Sequence, residues 1–314
     1  MNLSLNSNAS ATQARLHLSR NNVNLQKSIA RLSSGKRVEK PSDDAGGMAV
    51  AMKLESQVMR SGAAMQNILN AISLLEVQDG VLSNAGKIVD RMSELKGLYH
   101  DVMKNETDRE SYNKEFRDLQ VQLFEMSQIK FNGVSLFGQT TPDGSPALFE
   151  GSSSQIHTMQ VYMNANGNDG AVASIHKALL LSALTINAST LESDTFQSGD
   201  QATIFRFASE STDATGTDRV IGLGEVSVGV YAQALQNIAT LWAQNGASMS
   251  QLEYGYDNLT KEKNNLNAGR GRIEDVDMAS ESTRLSKYNI LVQASASMLA
   301  QANSLSEISL VLMR

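Results

Sequence analysis

Cysteine is absent from the 314-residue sequence. Disulfides, thiolate nucleophiles and cysteine-ligated metals are thereby removed, and the redox compartment is left open. Proline occurs only as Pro41, Pro142 and Pro146, so residues 42–141 and 147–314 hold nothing that must interrupt a helix. Aromatic residues reach only 5%, with one Trp and eight Phe. A core must then be built from Leu, Ile, Val, Met and Ala, which suits helix seams better than a thick globular interior. A basic excess is missing too: 27 Lys and Arg stand against 33 Asp and Glu, a net charge of −6. Nucleic acid needs a cationic face to neutralise phosphates, so it is not an expected partner. No run is long and apolar enough to cross a bilayer, and no membrane partner is expected. The stretch Met1 to Ser10 lacks a basic n-region and an apolar h-region. Location is then cytoplasmic, or outside the cell by a route that ignores signal peptides.

Catalytic patterns are also lacking. The four histidines, His17, His100, His157 and His176, are scattered, and no His-Glu-x-x-His pair exists to hold zinc. Gly133 and Gly138 have P-loop spacing, but Gln139 stands where the phosphate-binding lysine is required. The carboxylates of Asp43 and Asp44 are explained by helix capping. Arg270 and Arg272, near Glu274, Asp275 and Asp277, read as salt bridges or a subunit contact. Fourteen methionines read as adaptable packing for surfaces that re-pack between subunits. No catalytic, cofactor-binding or metal site is expected, and the chain is not expected to be an enzyme.

What the sequence does contain is periodicity. Leu235, Ile238, Trp242, Asn245, Met249, Leu252, Tyr256, Leu259, Lys263 and Leu266 follow one another in steps of three and four. That is the a/d seam of a helix meant to lie along other helices, with Asn245 and Lys263 as the polar entries that fix register. Such a helix spans roughly 48 Å at ~1.5 Å per residue and needs an equally long neighbour.

The neighbours come mostly from the other end. Ala11, Leu18, Leu25 and Leu32 recur every seven residues, with Leu16, Val23 and Ile29 widening the stripe of a helix over 10–32. Ser33-Ser34-Gly35 and Pro41 stop it, and Ser42-Asp43-Asp44 caps a helix over 44–101. The seam of that helix includes Met65, Ile68, Ile72, Leu75, Leu82, Val89 and Met92. Gly62, Gly80, Gly86 and Gly97 inside it mark either close packing or local weakness. Thr107 to Glu110 fits a capping box for a third helix, folded back antiparallel and ended by a turn at Asn132-Gly133. Ala268 to Arg272 reads as a joint before a last helix whose stripe runs through Leu291, Ala294, Met298, Gln301, Leu305, Ile308 and Leu312.

Residues 140–224 differ. Ser, Thr, Gly and Asp are frequent there, with alternating runs at His157 to Met163 and Ala202 to Phe207 and a short helix expected over Ala171 to Leu184. The stretch reads as an exposed, irregular α/β insertion. The fold class expected is therefore mainly α: a long antiparallel helical coiled-coil rod formed from the N- and C-terminal segments, with a small irregular α/β insertion in the middle. The outer helices carry too little apolar mass to fold alone, so they are expected to order on assembly.

Two long stretches resemble a known family. Ser28-Ile29-Ala30-Arg31-Leu32-Ser33-Ser34-Gly35-Lys36-Arg37, then Ser42-Asp43-Asp44-Ala45-Gly46-Gly47-Met48-Ala49-Val50, is similar to the N-terminal signature of bacterial flagellins. Arg272-Ile273-Glu274-Asp275-Val276-Asp277-Met278-Ala279, Ile290-Leu291-Val292-Gln293-Ala294 and Met298-Leu299-Ala300-Gln301-Ala302-Asn303 resemble the C-terminal one. The resemblance covers about residues 1–139 and 225–314. It implies a subunit that polymerises into the flagellar filament for motility, with residues 1–42 and 279–314 as an inner tube. Residues 43–139 and 225–278 would form a helical rod domain, and 140–224 a variable surface insertion.

The resemblance further implies an extracellular filament, type III export without a cleaved signal peptide, and a helical homopolymer. Its partners would be an export chaperone on the C-terminal helix, a filament cap and hook-junction proteins. Subunit packing would fall to Leu18, Leu25, Leu32, Leu291, Met298, Leu305, Ile308 and Leu312. An innate-immune receptor would read Arg91, Glu94, Leu95 and Glu115, with Ser93 where recognised members carry a second Arg. A solvated helix face is the other reading of Arg91 and Glu94. The competing functions are a hook–filament junction protein and a cytoplasmic coiled-coil scaffold.

Overall fold

Long helices occupy much of the proline-free stretches. A computed structural model of the chain describes residues 8–138, 158–167, 170–187, 204–206 and 222–312. The long helices are α1 (Ala9–Ser34), α2 (Ala45–Tyr99), α3 (Glu106–Ser127), α5 (Val228–Glu274) and α6 (Met278–Leu312). Between α3 and α5 come β1 (Lys130–Phe131), β2 (Val134–Ser135), β3 (Thr158–Tyr162), β4 (Val172–His176), a single turn α4 (Leu180–Ala183), β5 (Thr185–Asn187) and β6 (Ile204–Arg206). The strands pair as three antiparallel ribbons, β1–β2, β3–β4 and β5–β6. The fold is mainly α, as the periodicity predicts.

Local chemistry sets the helix ends. The Asn8 side chain accepts from the Ala11 amide at 2.9 Å, and Gly35 closes α1 in the left-handed conformation (φ 71°) that suits glycine. Asp44 accepts from the Gly47 amide at 2.8 Å, and a Cβ at Gly47 would collide with that carboxylate. Asn132 (φ 48°) and Gly133 (φ 80°) make the two-residue turn between β1 and β2, the geometry for which Asn-Gly is suited. The capping box of α3 lies two residues before the predicted one. Asn105 accepts from the Asp108 amide at 2.8 Å while Asp108 accepts from the Asn105 amide at 3.2 Å. Asparagine caps better than threonine, and Glu110 instead pairs with Lys114 at 3.3 Å. The glycines Gly80, Gly86 and Gly97 are not close-packing sites, because a Cβ there would meet nothing within 4 Å.

The chain divides into two compact units, Met1–Met59 with Glu262–Arg314 and Arg60–Lys261. In the second unit α2 and α5 lie antiparallel: Asn245 donates to the Leu75 carbonyl at 3.0 Å, and the Trp242 indole donates to Asp79. Ile68, Leu75, Leu82 and Val89, seven residues apart, are buried on α2, as are Ile238, Asn245, Leu252 and Leu259 on α5. The second column on α5 is shifted by one residue from the predicted one. Ala234, Leu241 and Ser248 are buried, and Trp242 is 45% exposed. Further elements pack on that helix, so its buried face is wider than a two-helix seam. α3 returns antiparallel along α2, with Phe116 and Leu123 in the core and Arg109 stacked on Tyr99 at 5.7 Å. Lys96 is buried and donates to the carbonyls of Leu223 and Gly224 at 2.9 and 3.1 Å. Desolvation pushes its pKa below the ordinary lysine value.

The stretch predicted as a helix over Ala171 to Leu184 begins as strand β4. Ala173 and Ile175 point inward from β4 while Ser174 faces out, and only the last turn is helical. Nor is this stretch exposed: Ala173, Ile175, Leu180, Leu181, Ala183 and Leu184 join the core cluster. The alternating run at His157 to Met163 becomes β3, and that at Ala202 to Phe207 becomes β6. The predicted joint at Gly269 and Gly271 does not exist as a break, since α5 continues to Glu274. The turn lies at Asp275 to Asp277, where Asp277 accepts from the Ala279 amide at 3.0 Å and caps α6.

Asn105→Ala is expected to lower stability by about 1 kcal/mol, and Thr107→Ala by less than about 0.5 kcal/mol. Urea melts followed by far-UV circular dichroism check this. A larger loss for Thr107→Ala would put the cap back at the threonine.

Candidate assembly surface

The first unit is built differently from the second. Its α1 and α6 run antiparallel, tied by Asn8 Nδ2 to the Ala302 carbonyl (2.9 Å), Asn21 Nδ2 to Ser295 Oγ (2.9 Å) and Ser28 Oγ to Glu281 Oε1 (2.7 Å). Two columns at sevenfold spacing line the seam on each helix. On α1 they are Ala11, Leu18, Leu25, Leu32 and Ala14, Asn21, Ser28. On α6 they are Leu285, Val292, Leu299 and Glu281, Tyr288, Ser295, Ala302. Among these, only Ser28, Glu281 and Ala302 are fully buried; the leucines remain half-buried. Two helices alone do not surround their own seam.

Apolar side chains also stand uncovered outside the seam. Leu16, Val23 and Ile29 are 49%, 50% and 51% exposed on α1, and Ile290 and Met298 are 66% and 65% exposed on α6. Met298 keeps its predicted stripe with Leu291, but it is 65% exposed, while Leu299 on a neighbouring face is half-buried. The cause is that α6 is apolar on more than one face, so spacing alone does not choose between them. Met298 instead edges a groove of about 520 Å³ with Ala14, His17, Asn21, Leu291, Ala294 and Ser295. The side chains of Leu305, Ile308 and Leu312 lie outside the described residues.

Sequence reasoning missed Ser28 and Glu281. The Glu281 carboxylate accepts from Ser28 on one oxygen and from Arg284 at 3.2 Å on the other, with its side chain only 3% exposed. The signal was present in the polar column that accompanies the leucine column.

The two signature segments meet in space. Lys36 and Asp275 form an isolated antiparallel bridge, Val276 donates to the Gly35 carbonyl at 3.0 Å, and the Arg37 guanidinium donates to the Ile273 carbonyl at 2.9 Å. Arg270 reaches Glu55 at 3.4 Å and Glu274 at 3.9 Å, and Lys36 reaches Glu274 at 3.6 Å. Partly exposed pairs of this kind contribute little singly, so the backbone bridge carries the connection.

On the second unit, Arg91 Nε donates to Glu115 at 2.8 Å and Nη1 to Glu94 at 2.7 Å. Those bonds, Glu115 foremost, raise its pKa above the ordinary arginine value. Leu95 is fully buried, which corrects its place in the predicted surface: only Arg91, Glu94 and Glu115 are presented there. Among the described residues no group of three or more His, Asp and Glu converges as a metal site, and no helix is long and apolar enough to cross a membrane.

A helical subunit whose paired chain ends leave apolar side chains uncovered fits the class of self-associating structural proteins. The comparisons give the family. The family model for the bacterial flagellin N-terminal helical region matches residues 5–141, and that for the C-terminal helical region matches residues 228–312. The chain is 30% identical over 302 residues to the flagellin of Listeria monocytogenes, covering 96% of both chains. It is 29% identical over 313 residues to the flagellin of Bacillus subtilis, covering 99% of both. It is also 29% identical over 311 residues to the flagellar filament 33 kDa core protein of Treponema phagedenis, again covering 99% of both. The chain belongs to the bacterial flagellin family: it is a structural subunit of the extracellular flagellar filament and not an enzyme. The junction-protein and cytoplasmic-scaffold readings are not favoured.

Ser28→Ala leaves the buried Glu281 carboxylate one donor short and is expected to cost the α1–α6 pair about 1–3 kcal/mol. Arg284→Ala, which removes an exposed head group, is expected to cost under about 1 kcal/mol. Filaments of the first variant should therefore disassemble at a lower temperature than those of the second. Identical disassembly temperatures for both variants and the parent would contradict the role given to this pair.

Proposed function

We propose that the α1–α6 pair is the polymerisation element of this filament subunit. One observation carries the reading: the exterior of the pair holds apolar Leu16, Val23, Ile29, Ile290 and Met298 uncovered in a single copy. A copy that covers it with a different surface makes a heterologous contact, and such a contact repeats without closing into an open helical filament. Leu18, Leu25, Leu32 and Leu291 act inside each pair, Met298 acts between copies, and Leu305, Ile308 and Leu312 extend the contact toward the C-terminus. Residues 1–42 with 279–314 form the inner tube, 43–139 with 225–278 the surrounding helical domain, and 140–224 the variable part. Deleting residues 280–314 removes α6 almost entirely. The truncated chain is expected to stay a soluble monomer that neither polymerises nor is retained by an export chaperone, as read by sedimentation and co-purification. Normal filaments from it would refute the assignment.

The same reading has the chain leave the cell through the flagellar type III channel without a cleaved signal peptide, between a filament cap and hook-junction proteins. The intact mass of subunits from detached filaments tests the uncleaved state, and a shortened N-terminus would refute it. Arg91, Glu94 and Glu115 form an exposed charged cluster suited to an innate-immune receptor. Arg91→Ala is expected to weaken receptor signalling by about tenfold or more, as loss of an arginine anchor does. Unchanged signalling would leave the cluster as a solvated helix face.

A further inference from the structure

With no cysteine in the chain, methionine sulfur is the group most readily oxidised. Among the described residues Met52, Met59, Met103, Met278 and Met298 are exposed, whereas Met92 is fully buried. Met298 differs from the other four in its surroundings. It edges the groove between α1 and α6, and on α6 it shares a face with Ala294 and Ile290, four and eight residues before it.

We propose that Met298 is a reversible oxidation site whose sulfoxide blocks subunit addition. The proposal rests on the reading of the outer apolar residues, among them the Ile290, Ala294 and Met298 stripe of α6, as a contact between copies. The oxidant is a hydroperoxide such as hydrogen peroxide. The Sδ lone pair attacks one peroxide oxygen, the O–O bond breaks, an S–O bond forms, and the second oxygen leaves as water with both protons. Sulfur loses two electrons and the peroxide gains them. A thiol-dependent methionine sulfoxide reductase reverses the step.

The consequence falls on association and not on folding. In the free subunit the sulfoxide oxygen stays in water, since Met298 is 65% exposed. When a neighbour covers the stripe, that oxygen must give up water against an apolar surface. The nearby Asn21 amide is already committed to Ser295 Oγ at 2.9 Å and to the Leu291 carbonyl at 3.4 Å. Assembly in turn shields the sulfur, so the subunit is sensitive before incorporation and protected after it.

The test uses the full chain as monomer, treated with dilute hydrogen peroxide, with sulfoxides mapped by peptide mass spectrometry. Seeded polymerisation should then show a critical concentration raised about tenfold, while the circular dichroism melt is unchanged. Treatment with the reductase should restore the original value. Met298→Leu treated with the same peroxide should polymerise like the untreated chain, although the other methionines still oxidise. Met298→Gln, a polar side chain of similar length, should raise the critical concentration with no oxidant present. Normal polymerisation of chains carrying the Met298 sulfoxide would overturn the proposal and leave the assembly reading standing. Equal inhibition of peroxide-treated Met298→Leu would overturn it as well. Failure of the untreated chain to polymerise would overturn both.

Discussion

The pairing of the two chain ends, α1 against α6, is the interaction on which the account depends. It joins residues nearly three hundred positions apart in sequence, as the Asn8–Ala302 hydrogen bond does. Its seam is built from leucines on one column and from small or polar residues on the other. Ser28 and Glu281 lock the register from inside, because a buried carboxylate finds its donors in one alignment only. The seam leucines stay half-buried, and further apolar side chains remain in water. A pair of helices so exposed gains much of its stability from whatever covers it, and copies of the same chain are what the filament supplies.

The other unit shows what full enclosure looks like with similar residue types. There α2 and α5 form the same kind of antiparallel heptad seam, but α3, the β3–β4 ribbon and the turn of α4 close over it. Ile68, Leu75, Leu82, Phe116 and Leu123 are consequently fully buried. A lysine is buried as well, held by two backbone carbonyls at some electrostatic cost. The contrast between the units comes less from composition than from the number of elements that meet around one seam. That is why the unit formed by the chain ends, and not the other, is assigned to polymerisation.

Much of this was legible in the sequence. Sevenfold spacing located every long helix, and the Asn132-Gly133 turn and the Asp44 cap followed from local chemistry. Spacing did not settle which face of a helix points inward when more than one face is apolar. That ambiguity left Met298 exposed on α6 and displaced Trp242 on α5. Competing caps two residues apart gave the wrong start for α3, since Asn105 and Thr107 both precede an acid at the right distance. Gly269 and Gly271 suggested a break that helix packing overrode. The run Ala171 to Leu184 read as one helix in an exposed loop because the strand β4 and the helical turn α4 follow each other there within a single apolar run. Ser28 and Glu281 escaped notice because apolar spacing marks the leucine column and passes over the polar column beside it.

Amide hydrogen exchange of residues 9–34 and 278–312, compared between dilute monomer and assembled filament, tests the central claim most directly. If neighbours complete the pair, both segments exchange rapidly in the monomer and become strongly protected in the filament. Full protection of both segments in the dilute monomer, unchanged on assembly, would contradict it.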